Sequence, residues 1–332
     1  MLKTTTFGAV AGKTVTAYTI ENVHGVRMTV LDYGATWYKL EVPTDQGLQN
    51  LLLASSSIDG YTGPTDYHGK TIGRVAGRIG QGHFSPTLPA NEGTTTLHGG
   101  PNGFSTLFWN AAASDDAVVF SQHINSADDG FPGDIDVKVT FTLTEKDEVV
   151  IDYDATSNSD TLFNPTNHAY WNLNANDDTI LNHQLTLASS QHYEVQTNKV
   201  PNGELLANLH SGFDFSRITN LGDAIDEMHA TSEQGFDDIF AVSAHDHDTP
   251  VATLTCGDLT VREYSDRNAL VVFTANHFGD TLDFGEKTSR PYIGIAMEAQ
   301  TAPSAVDEPK FGDITLSPDH PRHEQIRYQF SY

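Results

Sequence analysis

A chain of 332 residues, 38% hydrophobic and 10% aromatic, can bury a sizeable core, as two domains or, as all-β and barrel folds often do, as one. Its 44 acidic against 18 basic side chains give a formal net charge of −26, which repels nucleic acid and anionic membrane and makes a neutral ligand the expected partner. One cysteine, Cys256, excludes an intrachain disulfide, and Met1 to Gly8 carries no apolar signal segment, so a reducing, cytoplasmic setting is expected; no stretch approaches the roughly 18 apolar residues a spanning helix needs.

Val26-Arg27-Met28-Thr29-Val30 alternates apolar and polar residues, the period-2 pattern of a half-buried strand. Asp32-Tyr33-Gly34-Ala35 separates it from a second alternating run, Tyr38 to Val42, which Pro43 ends. The longest alternation runs from Ile135 to Leu143. After the turn Glu145-Lys146-Asp147-Glu148 it resumes with Val149, Ile151 and Tyr153, so a hairpin with one face on a core is expected. Similar runs span 251–264, 269–274, 292–297 and 326–332. Helical signals are confined to about 216–230. Many short strands with Gly, Asn and Asp turns predict an all-β protein, a large antiparallel sandwich formed by residues 1–332 as one domain.

Candidate chemistry falls in five stretches. Gly73-Arg74-Val75-Ala76-Gly77-Arg78-Ile79 holds two of the few cations; Arg78 can donate to sugar hydroxyls, or both arginines can pair with surface carboxylates. No Gly-Lys-Ser/Thr follows, which excludes a phosphate loop. In Leu97-His98-Gly99-Gly100 the glycines allow a tight backbone and close ligand approach beside His98. Asn164 to Leu173 gathers His168, three asparagines, Tyr170 and Trp171; amides and imidazole can bond hydroxyls while rings cover the C–H face of a pyranose, unless the rings are core. In Gly235-Phe236-Asp237-Asp238 the aspartates either form an ordinary turn or offer Asp237 to a hydroxyl pair. In Gly294 to Pro303, Glu298 is the odd residue in an apolar strand, a local conflict expected at a functional site unless the side chain turns to solvent. His245-Asp246-His247-Asp248 could bind a divalent metal but reads better as a solvated acidic loop, and no other Cys/His set has ligand spacing, so neither metal nor cofactor is expected. Cys256 reads as a small structural residue, and His320 and His323 as surface residues.

Taken together, the ordered set resembles the aldose 1-epimerases, or galactose mutarotases. Its members are Gly-Arg-x-Ala-x-Arg-Ile at Arg78, Leu-His-Gly-Gly at His98, Thr-Asn-His-x-Tyr-Trp-Asn-Leu at His168 and Glu-x-Gln-x-x-Pro-x-Ala-Val at Glu298. Asp32 to Thr36, Ile58 to Tyr61, Val200 to Glu204, Phe213 to Phe215 and Phe273 to Asn276 extend the likeness over most of the chain. The resemblance implies a galactose mutarotase-like supersandwich that interconverts the anomers of free aldohexoses such as galactose or glucose. It implies Glu298 as base at the C1 hydroxyl, His168 as acid at the ring oxygen O5, His98 holding O5, and Arg78 and Asp237 fixing hydroxyls. A nearby carboxylate would support the charged form of His168. A monomer or homodimer is expected. Gly77, where the family often has asparagine, Phe236 and Asp238 flanking Asp237, and Val271 and Phe273, where it has glutamine and tyrosine, depart from the pattern and bear on which sugar is preferred. A glycoside hydrolase using Asp237 and Glu298, a non-catalytic sugar-binding module, and a disaccharide or hexose-6-phosphate epimerase are the rival readings; the last would need a basic cluster for the phosphate.

Overall fold

The computed structural model describes the chain except residues 64–65, 81–83, 85–86, 244–247, 280–281 and 304. The histidines 245 and 247 therefore lie outside the described residues. Three antiparallel sheets dominate. Leu2–Val10, Lys13–Glu21, Arg27–Leu31, Thr36–Thr44 and Gly47–Asn50 form a five-stranded meander in sequence order. A nine-stranded sheet has Arg322–Ser331 between Leu259–Tyr264 and Glu148–Ser157, with Ile135–Leu143 next. A six-stranded sheet runs Tyr170–Trp171, Ile295–Gln300, Ala269–Phe273, Asp237–Val242, Ser189–Val195, Pro201–Ala207.

The alternation that predicts the long hairpin is the alternation that buries it. Ile135, Val137, Val139, Phe141 and Leu143 are buried while Asp136 and Lys138 are exposed. Val139 lies opposite Tyr153 and Phe141 opposite Ile151. Trp37 of the meander, Trp171 of the six-stranded sheet and Tyr328 of the nine-stranded sheet meet with ring centroids 5.2 to 5.4 Å apart. All three are at most 1% exposed, so this trio ties the three sheets through one apolar contact.

Boundaries shift where polar chemistry overrides the pattern. The helix is Leu221–Met228, capped by the Asn220 side chain accepting the Asp223 N–H, with Leu221, Ala224, Ile225 and Met228 buried at helical spacing. Thr219 and Asn220 are held as strand against Leu185 and Gln184, which stops any earlier start. The run expected at 292–297 becomes Ile295–Gln300, because Arg290 to Ile293 turns and Tyr292 has φ +62°. The last strand begins at Arg322, four residues earlier than apolar alternation shows, because the exposed His323 and half-buried Gln325 lie on its outer face.

Arg74 corrects the surface-pairing expectation for the first arginine. Its guanidinium is fully buried and bonds the Asp129 carboxylate twice, at 2.6 and 3.0 Å, plus the carbonyls of Pro132 and Gly133. Removing one partner strands a buried charge. Asp129→Ala is expected to cost about 3–5 kcal/mol in denaturant unfolding; a cost under about 1 kcal/mol, the value of a surface pair, would contradict this account.

Candidate active site

Glu298 sits in a strand whose six residues are all buried. Ile295, Met297 and Ala299 pack into the main core, and the two-residue period turns Glu298 to the other face. There it lines a cleft of about 430 Å³ together with His98, His168, Arg78 and Asp237, so the five side chains singled out in sequence share one cavity. Asp237 opens the strand Asp237–Val242 and lines this cleft. Asp238 does not line it, and its Oδ2 accepts the Asp237 N–H at 3.1 Å.

His168 Nε2 lies 3.4 Å from Glu298 Oε1, with side-chain exposures of 5% and 3%. Burial dominates both groups: it lowers the His168 pKa to about 4 and raises the Glu298 pKa to about 8, with Asp237 adding to the rise. The pair thus holds one proton between those values, and it rests on Glu298. This reverses the expectation that a neighbouring carboxylate keeps His168 charged, because desolvation of the two ions outweighs their attraction.

His98 is placed by backbone geometry. It takes φ +52°, and the following Gly99 runs so close to the Gly73 carbonyl that a Cβ there would fall 1.8 Å from its oxygen. The Gly77 N–H donates to His98 Nδ1 at 3.2 Å. Burial holds His98 neutral, its pKa lowered well below the usual histidine value. A neutral ring accepting at Nδ1 carries its proton on Nε2. His98, His168 and Glu298 place ligand atoms within 4.8 Å of one another, the only such trio among the described residues. His98, however, then offers a donor rather than a lone pair, so the trio fits a hydroxyl or ring oxygen better than a cation.

Arg78 bonds Glu92 through Nε at 2.5 Å and Nη2 at 2.9 Å, and its Nη1 lies 3.8 Å from Asp237. Lys199 lines the same wall, 3.1 Å from Glu233 and 4.0 Å from Asp237. Tyr170, Phe273 and Phe278 also line the cleft, with centroids 5.3 to 6.2 Å apart, Phe273 lying across the strand pair from Asp237. The Tyr67 ring packs on His98 at 4.8 Å and His168 at 5.9 Å. Tyr67, Lys199, Glu92 and Phe278 lacked any sequence signal beyond ordinary loop composition.

The motif around His168 is used differently from its sequence reading. Trp171 is core. The three amides bond backbone: Asn164 the Thr301 peptide groups, Asn167 the Gly69 carbonyl, Asn172 the Asp178 and Ile293 carbonyls. His168 and Tyr170 alone of this run line the cleft. Cys256 is half-buried, its thiol 3.4 Å from Asn174 Oδ1 and pushed up in pKa by burial, and His323 is exposed beside Asp154.

A family model described as aldose 1-epimerase matches residues 16–329. The chain is 35% identical to a maltose epimerase of Levilactobacillus brevis, over 98% of this chain and 97% of that one. It is 29% identical to the galactose mutarotase of Bos taurus, over 92% and 91%. Among solved structures, an aldose epimerase homologue from C. elegans superposes with a TM-score of 0.87 at 29% identity, covering 95% of this chain and 98% of the other. A galactose 1-epimerase from Lactobacillus acidophilus gives 0.84 at 25% identity, covering 100% and 98%.

The His98 tautomer is directly observable. Long-range ¹H–¹⁵N NMR at about pH 6, just under the ordinary histidine value, is expected to show Nε2 protonated and Nδ1 bare. An Nδ1-protonated ring or an imidazolium would contradict the cleft as described.

Proposed function

The chain belongs to the aldose 1-epimerase family, isomerases that interconvert sugar anomers, and on that premise we propose that its substrates are free, neutral aldohexoses such as galactose and glucose. The observation that carries the proposal is the 3.4 Å approach of His168 and Glu298, desolvated together in a cleft lined by both polar and aromatic side chains. Anomer exchange needs the C1 hydroxyl to lose a proton while O5 gains one. The ring then opens, C1 rotates about the C1–C2 bond, and closure on the other face reverses both transfers. Glu298 takes the C1 proton and His168 supplies O5. The bound sugar brings a donor to Glu298 and an acceptor to His168, which moves the shared proton onto the imidazole. His98 Nε2–H holds O5. Arg78 and Asp237 fix the remaining hydroxyls, so that C1 alone turns.

Charge favours neutral sugars over phosphorylated ones. Arg78 and Lys199 face Glu92, Asp237 and Glu233, two cations against three carboxylates, so this wall offers no net positive charge to a phosphate. The likeness to a maltose epimerase supports including reducing disaccharides in the range tested.

The test is anomer exchange by NMR or polarimetry across galactose, glucose, maltose and glucose 6-phosphate, on wild type and Glu298→Gln. The neutral sugars should turn over in preference to the phosphate. The glutamine keeps size and most hydrogen bonding but not basicity, so kcat should fall by about a hundred-fold or more with sugar binding largely retained. A folded, sugar-binding Glu298→Gln protein with near wild-type kcat removes Glu298 from the chemistry.

A further inference from the structure

The strand that carries Glu298 loses its neighbouring strand where Glu298 sits. Tyr170–Trp171 pairs with it only at Ala296 and Ile295. Going back along the chain, Thr166–Asn167 has turned away to pair with Thr71–Ile72 instead. The peptide groups of Ala299 and Thr301 therefore meet an open edge inside the protein, where an unpaired backbone group is costly.

Side chains occupy that edge. Thr166 Oγ1 donates to the Ala299 carbonyl at 2.9 Å. Asn164 closes on Thr301 from both sides: its Nδ2 donates to the carbonyl and its Oδ1 accepts the N–H, each at 2.9 Å. The Ala299 amide faces the Glu263 carboxyl, which reaches in from the nine-stranded sheet. Thr166 and Asn164 are 0% and 1% exposed. Asn164 is itself fixed, its N–H on the Arg74 carbonyl and its carbonyl on the Ala76 N–H, both at 2.8 Å. Two residues after Thr166 comes His168, its own N–H on the Lys70 carbonyl at 2.9 Å. One five-residue run thus carries the imidazole and grips the strand that carries the carboxyl.

We infer that Thr166 and Asn164 are positioning residues that set the His168–Glu298 separation, standing in for the strand that is missing at this edge. The inference rests on the proposed proton transfers by that pair. Neither side chain lines the cleft, so neither contributes to sugar affinity. Misplacing a reacting pair by about 1 Å costs on the order of a hundred-fold in rate, so the signature is a loss in kcat alone.

Thr166→Val keeps the shape and removes the hydroxyl, and Thr166→Ser restores it. For anomer exchange, kcat of Thr166→Val is expected to fall roughly ten- to a hundred-fold with KM within about two-fold of wild type, and Thr166→Ser to recover most of the loss. Thr166→Ala gives the same signature where the valine variant does not fold. A folded hydroxyl-less variant with wild-type kcat, a loss that appears in KM, or a serine variant as impaired as the valine would each overturn the inference. Glu298→Gln run in parallel separates the two levels. If it loses activity while Thr166→Val does not, only the positioning role falls; if both stay active, the acid–base reading falls with it.

Discussion

The cleft depends on two ionisable groups being taken out of water together. A buried carboxylate or imidazolium alone costs several kcal/mol, and Glu298 and His168 avoid that cost by sharing one proton as a neutral pair, 3.4 Å apart. A reaction that removes a proton from one oxygen of a hemiacetal and adds one to another needs such a pair. Burial also keeps His98 neutral, while the Gly77 N–H chooses which of its nitrogens carries the proton. The electrostatics of the site thus follow from depth and backbone placement more than from the large negative charge of the surface.

Depth in turn follows from the sheets. The Trp37–Trp171–Tyr328 contact fixes the six-stranded sheet against its neighbours. The strand of Glu298 presents one face to that core and the other to the cleft. Where its edge is open, Asn164, Thr166 and Glu263 complete it. The motif that delivers His168 is therefore structural in most of its residues.

Much of this was legible in sequence, for identifiable reasons. Period-2 alternation from Ile135 to Leu143 reports burial directly, and the observed strand has the same limits. Glu298 stood out because an acidic residue in an apolar strand conflicts with its surroundings, and the conflict marks the cleft. The role of the asparagines stays open in sequence because an amide suits a hydroxyl and a stranded peptide group equally well; only the pairing of distant strands decides between them. Lys199, Tyr67 and Phe278 reach the cleft from separate loops, a long-range convergence that no local pattern encodes. Arg74 could not be assigned a partner because Asp129 lies 55 positions away on the chain. The protonation of the pair was inverted in the sequence reading, since burial, the dominant cause, is a property of the fold.

The pH dependence of kcat/KM tests the central claim most directly, because it reports the protonation of the free site. With the roles proposed for Glu298 and His168, activity requires the pair to hold one proton. Below about 4 His168 takes up a second, and above about 8 Glu298 gives up the only one. The profile for galactose or glucose should therefore be a broad plateau between limbs near those values, the limbs belonging to the pair. A carboxyl and an imidazole titrating independently at their ordinary values of 4.5 and 6.5 would be active only in the narrow interval between them. A sharp optimum there, with activity lost by neutral pH, would contradict a desolvated pair sharing one proton.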